Sequence, residues 1–345
     1  MPEWPFEPPV SPMEARVRER MPEPPGWAYE PKWDGFRALA WSAGAADEPR
    51  LDSRNRRPLL RYFPELTPAL DALPSGTVVD AEVLVVIGDA SDFDALQQRV
   101  HPAASRIERL SAETPACLVA FDLLAYEGED LRDRPFAERR ERLAALLGGL
   151  AEPWRLTPST NDVDTASRWF GEFEAAGCDG IVAKRLDGLY VEGKREMLKI
   201  KRRRSVDAVV GGYRLHKQGD RLGSLLLGLY DEAGAMHFVG HTSGFPDEQR
   251  VALLAEFSAL AAEDGFGEEA RRPGAESRWS GGRDTSWTPV RPEVVVQVSY
   301  DQISGGRFRH ATRFERFRPD KDPAECTFEQ LARDEGPGFS EIVER

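Results

Sequence analysis

Lys32 stands two residues before Asp34-Gly35 and five before Arg37, in the run Tyr29-Glu30-Pro31-Lys32-Trp33-Asp34-Gly35-Phe36-Arg37. A lysine amine attacks an electrophile only when neutral. With an ordinary pKa of about 10.4, it needs nearby cations, desolvation or a metal to lose its proton at neutral pH. Cations occur further along in apolar surroundings at Lys184, Lys199 and Lys201, and Asp34, Glu82, Asp122 and Asp179 are oxygen donors suited to a hard divalent metal. Lys199 and Lys201, two apart on an expected strand, point to one face, so both ammonium groups bear on one target and push the pKa of Lys32 down. The plainer reading of that pair is a solvated basic strand end. Phe121, between Ala120 and Asp122, is either a buried core ring or a stacking face. The pattern around Lys32 is common by chance, and it gains weight only from the rest of the chain.

Six further motifs succeed it in order: Ser53-Arg54-Asn55, Asp80-Ala81-Glu82, Ala120-Phe121-Asp122, Asp179-Gly180-Ile181-Val182-Ala183-Lys184, Leu198-Lys199-Ile200-Lys201 and Arg318-Pro319-Asp320-Lys321. These resemble the successive motifs of the covalent nucleotidyltransferases. Residues 53–64, Phe93-Asp94-Ala95-Leu96-Gln97-Gln98-Arg99, residues 223–230 and Arg307-Phe308-Arg309-His310 resemble the bacterial ATP-dependent DNA ligases of the LigC type, and nearly the whole chain is covered. The chain is also similar to the ligase part of the end-joining enzyme LigD, with no length to spare for that enzyme's other domains. Two positions depart from the family pattern. Ala81 replaces a glycine between two carboxylates, and Asp179 stands where the family carries Glu, one methylene longer.

The resemblance implies an α+β protein: an N-terminal adenylation domain of nucleotidyltransferase, ATP-grasp-like type with antiparallel sheets and flanking helices, residues 1–203, then a C-terminal OB-fold β-barrel, residues 204–345. It implies ATP as AMP donor, with Mg2+ or Mn2+, and nick sealing in duplex DNA through a lysyl-AMP on Lys32 and a DNA-adenylate, in DNA repair. Lys199, Lys201 and Asp34 would assist catalysis. Glu30, Arg37, Arg54, Glu82, Phe121, Lys184, Lys199, Lys201, Arg318 and Lys321 would bind the nucleotide, with Phe121 stacking on adenine, Glu82 and Arg54 at the ribose, Arg37 at ribose or DNA phosphate, and Lys184 at phosphate. Glu82 and Asp179 would hold the metal. Arg54, Arg202 and Arg203 would contact DNA. Arg318, Asp320 and Lys321 would orient the departing pyrophosphate in the first step only, which calls for a mobile barrel domain. GTP-using mRNA capping enzymes and RNA ligases share part of this logic, and a nick-binding protein with degenerate catalysis is a further alternative.

Composition narrows the field. The chain has 345 residues, enough for two cores. It carries no apolar run long enough for a signal core or a membrane span, so a cytoplasmic protein with no membrane contact is expected; the resemblance implies a nucleoid-associated monomer with nicked DNA and repair proteins as partners. Cys117, Cys178 and Cys326 are far apart, which fits buried thiols and excludes a disulfide framework or the four-cysteine zinc site of NAD-dependent DNA ligases. The net charge of −13 is unfavourable for a polyanion unless positive charge is local. It is local: residues 184–204 hold nine basic and three acidic side chains, and Arg54, Arg56, Arg57 and Arg61 form a second cluster. The five histidines show no metal-ligand spacing, though His310 sits among arginines where it could meet phosphate.

The elements that must position these groups are read from periodicity. Residues 1–31 are expected to form a proline-rich extended lead-in with one short helix near residues 13–20. Strands are expected over 37–41, 77–86 and 117–124, and helices from Asp133-Pro135 to Gly148 and over 163–176, with Leu143, Leu146, Leu147, Ala166, Trp169, Phe170 and Phe173 facing the core. Beyond Arg202-Arg203-Arg204, strands over 206–215, 224–230, 236–240 and 293–300, with one helix over 247–263, suit a small barrel of the kind often used on nucleic acid. Residues 274–286 read as a loop.

Overall fold

The computed structural model describes residues 4–43, 48–267, 270–273, 286–332 and 334–343. The loop expected at 274–286 lies, except for its last residue, outside them. The chain divides into two compact units, Met1–Arg202 with Arg333–Arg345, and Arg203–Ala332. The division falls one residue from the expected position, but residues 334–343, expected with the barrel, belong to the first unit.

The first unit is built on two sheets. One has four strands in the order Glu14–Arg18, Arg195–Lys201, Cys178–Arg185, Trp27–Trp33. Its inner strands are antiparallel, and Glu14–Arg18 runs parallel to Arg195–Lys201 at the edge. The second has seven strands, with Phe36–Trp41, Val78–Ile87 and Ala116–Tyr126 at its centre. Two expectations fail at the N-terminus. Glu14–Arg18 is a strand rather than a helix, because pairing with Arg195–Lys201 satisfies its backbone where a short isolated helix could not. Trp27–Trp33, expected as lead-in, is a strand carrying the nucleophile candidate; Pro31 is accommodated by an irregular register opposite Cys178 and Ile181.

Each sheet has one dry face. Tyr29, Ile181, Ala183, Leu198 and Ile200 pack on helix Val163–Glu172, which the Asp162 carboxylate caps by accepting from the Asp164 and Thr165 amides. The helix ends before 176, with Phe173 continuing the core beyond it. On the second sheet Ala38, Ala40, Val79, Ala81, Val83 and Ala120 meet Phe63, Leu70, Leu96, Leu143 and Leu147. Ala81 therefore points away from both flanking carboxylates into a packed layer. The opposite faces carry the charged groups beside a further apolar cluster that includes Leu39, Trp41, Val78, Leu124 and Met197. No described helix is long and apolar enough to cross a membrane.

The second unit has five principal strands in the order Met236–Thr242, Leu222–Tyr230, Arg204–Leu215, Val295–Tyr300, Arg313–Phe317. A parallel bridge between Thr242 and Thr312, with the Thr242 hydroxyl donating to the Thr312 carbonyl at 3.1 Å, joins the first strand to the last and closes the barrel. Leu225, Leu227, Val239, Phe266, Val296 and Val298 fill it, and helix Asp247–Ala259 adds Leu253 and Phe257. This is the OB-type barrel expected. Cys178 and Cys326 are buried, whereas Cys117 is half-buried, its thiol pushed up to about 12 by burial.

Candidate active site

Strand alternation sets the site's membership. Glu30 and Lys32 share one face of their strand, Val182 pairs with both Glu30 and Lys199, and Gly180 pairs with Lys201. Glu30, Lys32, Lys184, Lys199 and Lys201 thus lie on the face opposite the dry one. Asp34-Gly35 carries the chain from the first sheet to the second. A side chain at Gly35 would place its Cβ 2.4 Å from the Val83 carbonyl oxygen and 2.9 Å from Glu82 Cγ, so glycine is what allows Lys32 and Glu82 to be neighbours. Glu82 lies beside Arg37 in register.

The Lys32 ammonium is 2.8 Å from an Asp179 carboxylate oxygen, and Lys201 Nζ lies 3.7 Å from the other oxygen. Burial alone would lower the pKa of Lys32, but Asp179, then Glu82 and Asp34, outweigh it and hold the amine above the ordinary lysine range. The expected depression of Lys32 by cations is therefore absent, because Asp179 stands between Lys32 and Lys201. It falls on Lys199 instead, lowered by burial and then by Lys32, Lys201 and Arg54. Burial raises Glu82 to about 8 against the opposing pull of Lys32 and Arg37.

Phe121 is the extra residue of a β-bulge: Asp80 pairs with Asp122 and Ala81 with Ala120, leaving it without a partner across the ladder. A bulge re-aims its side chain. The half-buried ring has the Lys184 ammonium 4.6 Å from its centroid and the Arg37 guanidinium at 5.4 Å.

Several other expected residues are engaged elsewhere. Lys184, expected at phosphate, is buried. It pairs with Glu30 at 2.7 Å and donates to the Phe121 carbonyl at 2.8 Å, so it supports the aromatic bulge. Glu30 also faces Arg140 at 3.5 Å, and burial raises its carboxyl. Arg37, expected at ribose or DNA phosphate, binds both oxygens of Asp80 at 2.9 and 2.6 Å and donates to the Met13 carbonyl at 2.5 Å. Asp122, counted among possible metal donors, forms a fully buried pair with Arg139 at 2.7 Å. Arg54 is exposed and pairs with Glu14 at 2.7 Å. Arg202, expected on DNA, donates to the Gly171 carbonyl at 2.7 Å and pairs with Asp334 at 2.7 Å and Glu174 at 3.1 Å. Arg203 is exposed.

In the second unit Arg318 binds Asp207 at 2.8 Å and Asp320 at 2.9 Å, and Lys321 pairs with Glu325. Residues that sequence reasoning missed are Tyr190, whose hydroxyl donates to Asp80 at 2.7 Å and accepts from the Met13 amide, and Arg139 and Arg140 on helix Phe136–Leu147. Arg139 falls on the helix's buried stripe with Phe136, Leu143 and Leu147, and a charge at a core position was the available signal.

Among the described residues no cluster of three or more His, Cys, Asp or Glu side chains is disposed to hold a metal ion. Magnesium sites of the phosphate-linked kind need only one or two carboxylates, with substrate oxygens completing the shell. Glu82 and Asp179 fit that mode: both sit beside Lys32, and a cation would relieve the half-buried Glu82 carboxylate that the site leaves under-compensated.

The chain is similar to known proteins over nearly its whole length. Residues 11–201 match the family described as ATP dependent DNA ligase domain, and residues 218–321 the ATP dependent DNA ligase C terminal region. The chain is 48% identical to DNA ligase C2 of Mycolicibacterium smegmatis over 353 residues, covering 98% of each. It is 46% identical to DNA ligase C of Mycobacterium tuberculosis over 355 residues, again covering 98% of each. In fold it is similar to a solved Lig E DNA ligase, with a TM-score of 0.52 at 18% identity, covering 85% of this chain and 93% of that one.

Proposed function

The chain belongs to the ATP-dependent DNA ligases, and from that premise we propose that Lys32 is the residue that carries AMP. The observation that supports this most is the convergence on Lys32 of Asp179, Glu82, Lys199 and Lys201, on the sheet face from which Lys184 reaches the bulged Phe121 ring. In the first step the Nζ lone pair attacks the α-phosphorus of ATP, the bond to the bridging oxygen breaks, and pyrophosphate leaves. An oxygen of the DNA 5′-phosphate then attacks the phosphorus of the lysyl-AMP, the P–N bond breaks, and the Lys32 amine leaves and regains its proton. The adjacent 3′-hydroxyl attacks the phosphorus of the DNA 5′-phosphate, making the phosphodiester and expelling AMP.

Charge develops on non-bridging phosphoryl oxygens in every step, so Lys199 and Lys201 stabilise it from one face of their strand. Phe121 stacks on the adenine, and Lys184 with Glu30 keeps the bulge in place. Asp179 supplies the counter-charge to protonated Lys32 until the amine must react. A divalent cation held by Glu82 and Asp179 would neutralise the carboxylates that keep Lys32 charged and add Lewis-acid stabilisation at the phosphoryl oxygens. Arg203 contacts DNA phosphate, and Lys321 serves the release of pyrophosphate.

A nick-sealing assay tests this reading. Nicked duplexes with DNA or RNA strands are incubated with ATP, GTP or NAD and Mg2+ or Mn2+. Sealing of the all-DNA nick with ATP alone is expected. Sealing that requires GTP, or RNA strands only, would assign the chain to a capping or RNA-joining chemistry instead.

A further inference from the structure

Residues 334–343 return from the second unit's sequence to pack within the first, and the contacts are specific. The Asp89 carboxylate accepts from the Ser340 amide at 2.8 Å and from its hydroxyl at 2.9 Å, while the Asp89 carbonyl accepts from the Phe339 amide at 2.6 Å. A Cβ at Gly338 would lie 1.9 Å from an Asp89 carboxylate oxygen, so only glycine lets the segment seat on this turn. Phe339, Ile342 and Val343 then enter a buried cluster with Trp33, Leu84, Val119, Phe173 and Cys178. The Phe339 ring meets the Trp33 indole edge to face at 5.3 Å, and the other side of Trp33 is tied by its Nε1 donating to Thr157 at 2.9 Å.

Three of the residues gripped are next in sequence to a charged group of the site. Trp33 follows Lys32, Cys178 precedes Asp179, and Arg202, paired with Asp334, follows Lys201. Trp33 and Cys178 are themselves register partners across the sheet. Adjacent strand residues point to opposite faces, so a segment locked onto Trp33 and Cys178 from beneath fixes the backbone that presents Lys32 and Asp179 above.

We propose that this returning segment, through Phe339, is a positioning element for the nucleophile: it holds the Lys32 strand at the height from which Nζ reaches the α-phosphorus. Phe339 touches no reacting atom and acts through Trp33. The inference rests on Lys32 being the AMP carrier. Misplacement of a nucleophile by about 1 Å can cost about a hundredfold in rate, whereas loss of a merely stabilising contact lowers the folded fraction and affects every step alike.

The experiment compares Phe339→Ala, Phe339→Leu and Asp89→Ala with the unaltered chain in two assays, each corrected for folded protein by thermal melting. One follows single-turnover labelling by α-labelled ATP as a function of ATP concentration; the other follows closure of a nick already carrying 5′-linked AMP, where Lys32 is not the attacking group. Phe339→Ala is expected to slow maximal labelling about tenfold to a hundredfold with little change in the ATP concentration for half-maximal rate, to close the pre-adenylylated nick near the unaltered rate, and to be largely rescued by Phe339→Leu. Asp89→Ala, which leaves the apolar contacts in place, shows the same pattern more weakly and decides the matter should Phe339→Ala not fold. Equal loss in both assays, or labelling at the unaltered rate, overturns the proposal. If the unaltered chain is labelled at a residue other than Lys32, the reading of the nucleophile fails rather than that of the segment.

Discussion

Lys32 is held charged by the carboxylate nearest to it, and the role proposed for it depends on releasing that charge at the right moment. Asp179, one methylene shorter than the family's usual glutamate, still reaches the ammonium at 2.8 Å, because the Trp27–Trp33 and Cys178–Arg185 strands are paired directly. Phe121, proposed as the stacking face, sits on a bulge that leaves it half-buried, with Lys184 and Arg37 against the ring. Phe121→Ala is therefore expected to raise the ATP concentration needed for labelling by an order of magnitude or so, since an aromatic stacking face is worth about 1–3 kcal/mol per base. Closure of a nick already carrying AMP should change much less, and melting temperature should fall only slightly. A large fall in melting temperature would make the ring mainly a core residue.

At the scale of elements, much of the pattern was legible. The central strands of the second sheet, helix Phe136–Leu147 and the barrel strands follow from apolar alternation and turn residues. Trp27–Trp33 was not legible, because Glu30, Pro31 and Lys32 interrupt the alternation for the sake of the site. The ion-pair partners of Arg37, Asp122, Lys184 and Arg202 were hidden for one reason: a charged side chain's partner is set by tertiary neighbours, and motif position alone does not reveal it. Asp122 illustrates the energetics. Burial would raise its carboxyl, but Arg139 lowers it below the usual range. A depressed carboxyl contributes stability above the ordinary aspartate pKa and loses it as pH falls through the folded value. Asp122→Asn is expected to cost roughly 3–5 kcal/mol at neutral pH, since it leaves Arg139 buried without its counter-charge. It should also show less further loss than the unaltered chain when melting is followed from pH 5 downward. Arg202→Ala should lower melting temperature by freeing the end of helix Val163–Glu172, while leaving the salt dependence of nick binding intact.

Across the whole molecule, a net charge of −13 makes DNA binding a matter of local positive surface. Affinity for nicked duplex should fall steeply with salt. Arg203→Ala, exposed where Arg202 is engaged, should flatten the slope of log affinity against log salt by about one; an unchanged slope would place Arg203 away from phosphate. Lys321→Ala is expected to lose self-adenylylation yet still close a nick that carries 5′-linked AMP, and equal failure on both substrates would move the motif's role to DNA binding. The labelling and sealing expectations all depend on the same covalent intermediate. The most direct measurement is peptide mass spectrometry of the protein after incubation with ATP and Mg2+, beside Lys32→Ala and Lys32→Arg. One AMP adduct is expected, on Lys32, and none in either variant, the guanidinium failing because it stays protonated. An adduct on another residue, or undiminished labelling of Lys32→Ala, would contradict Lys32 as the AMP carrier.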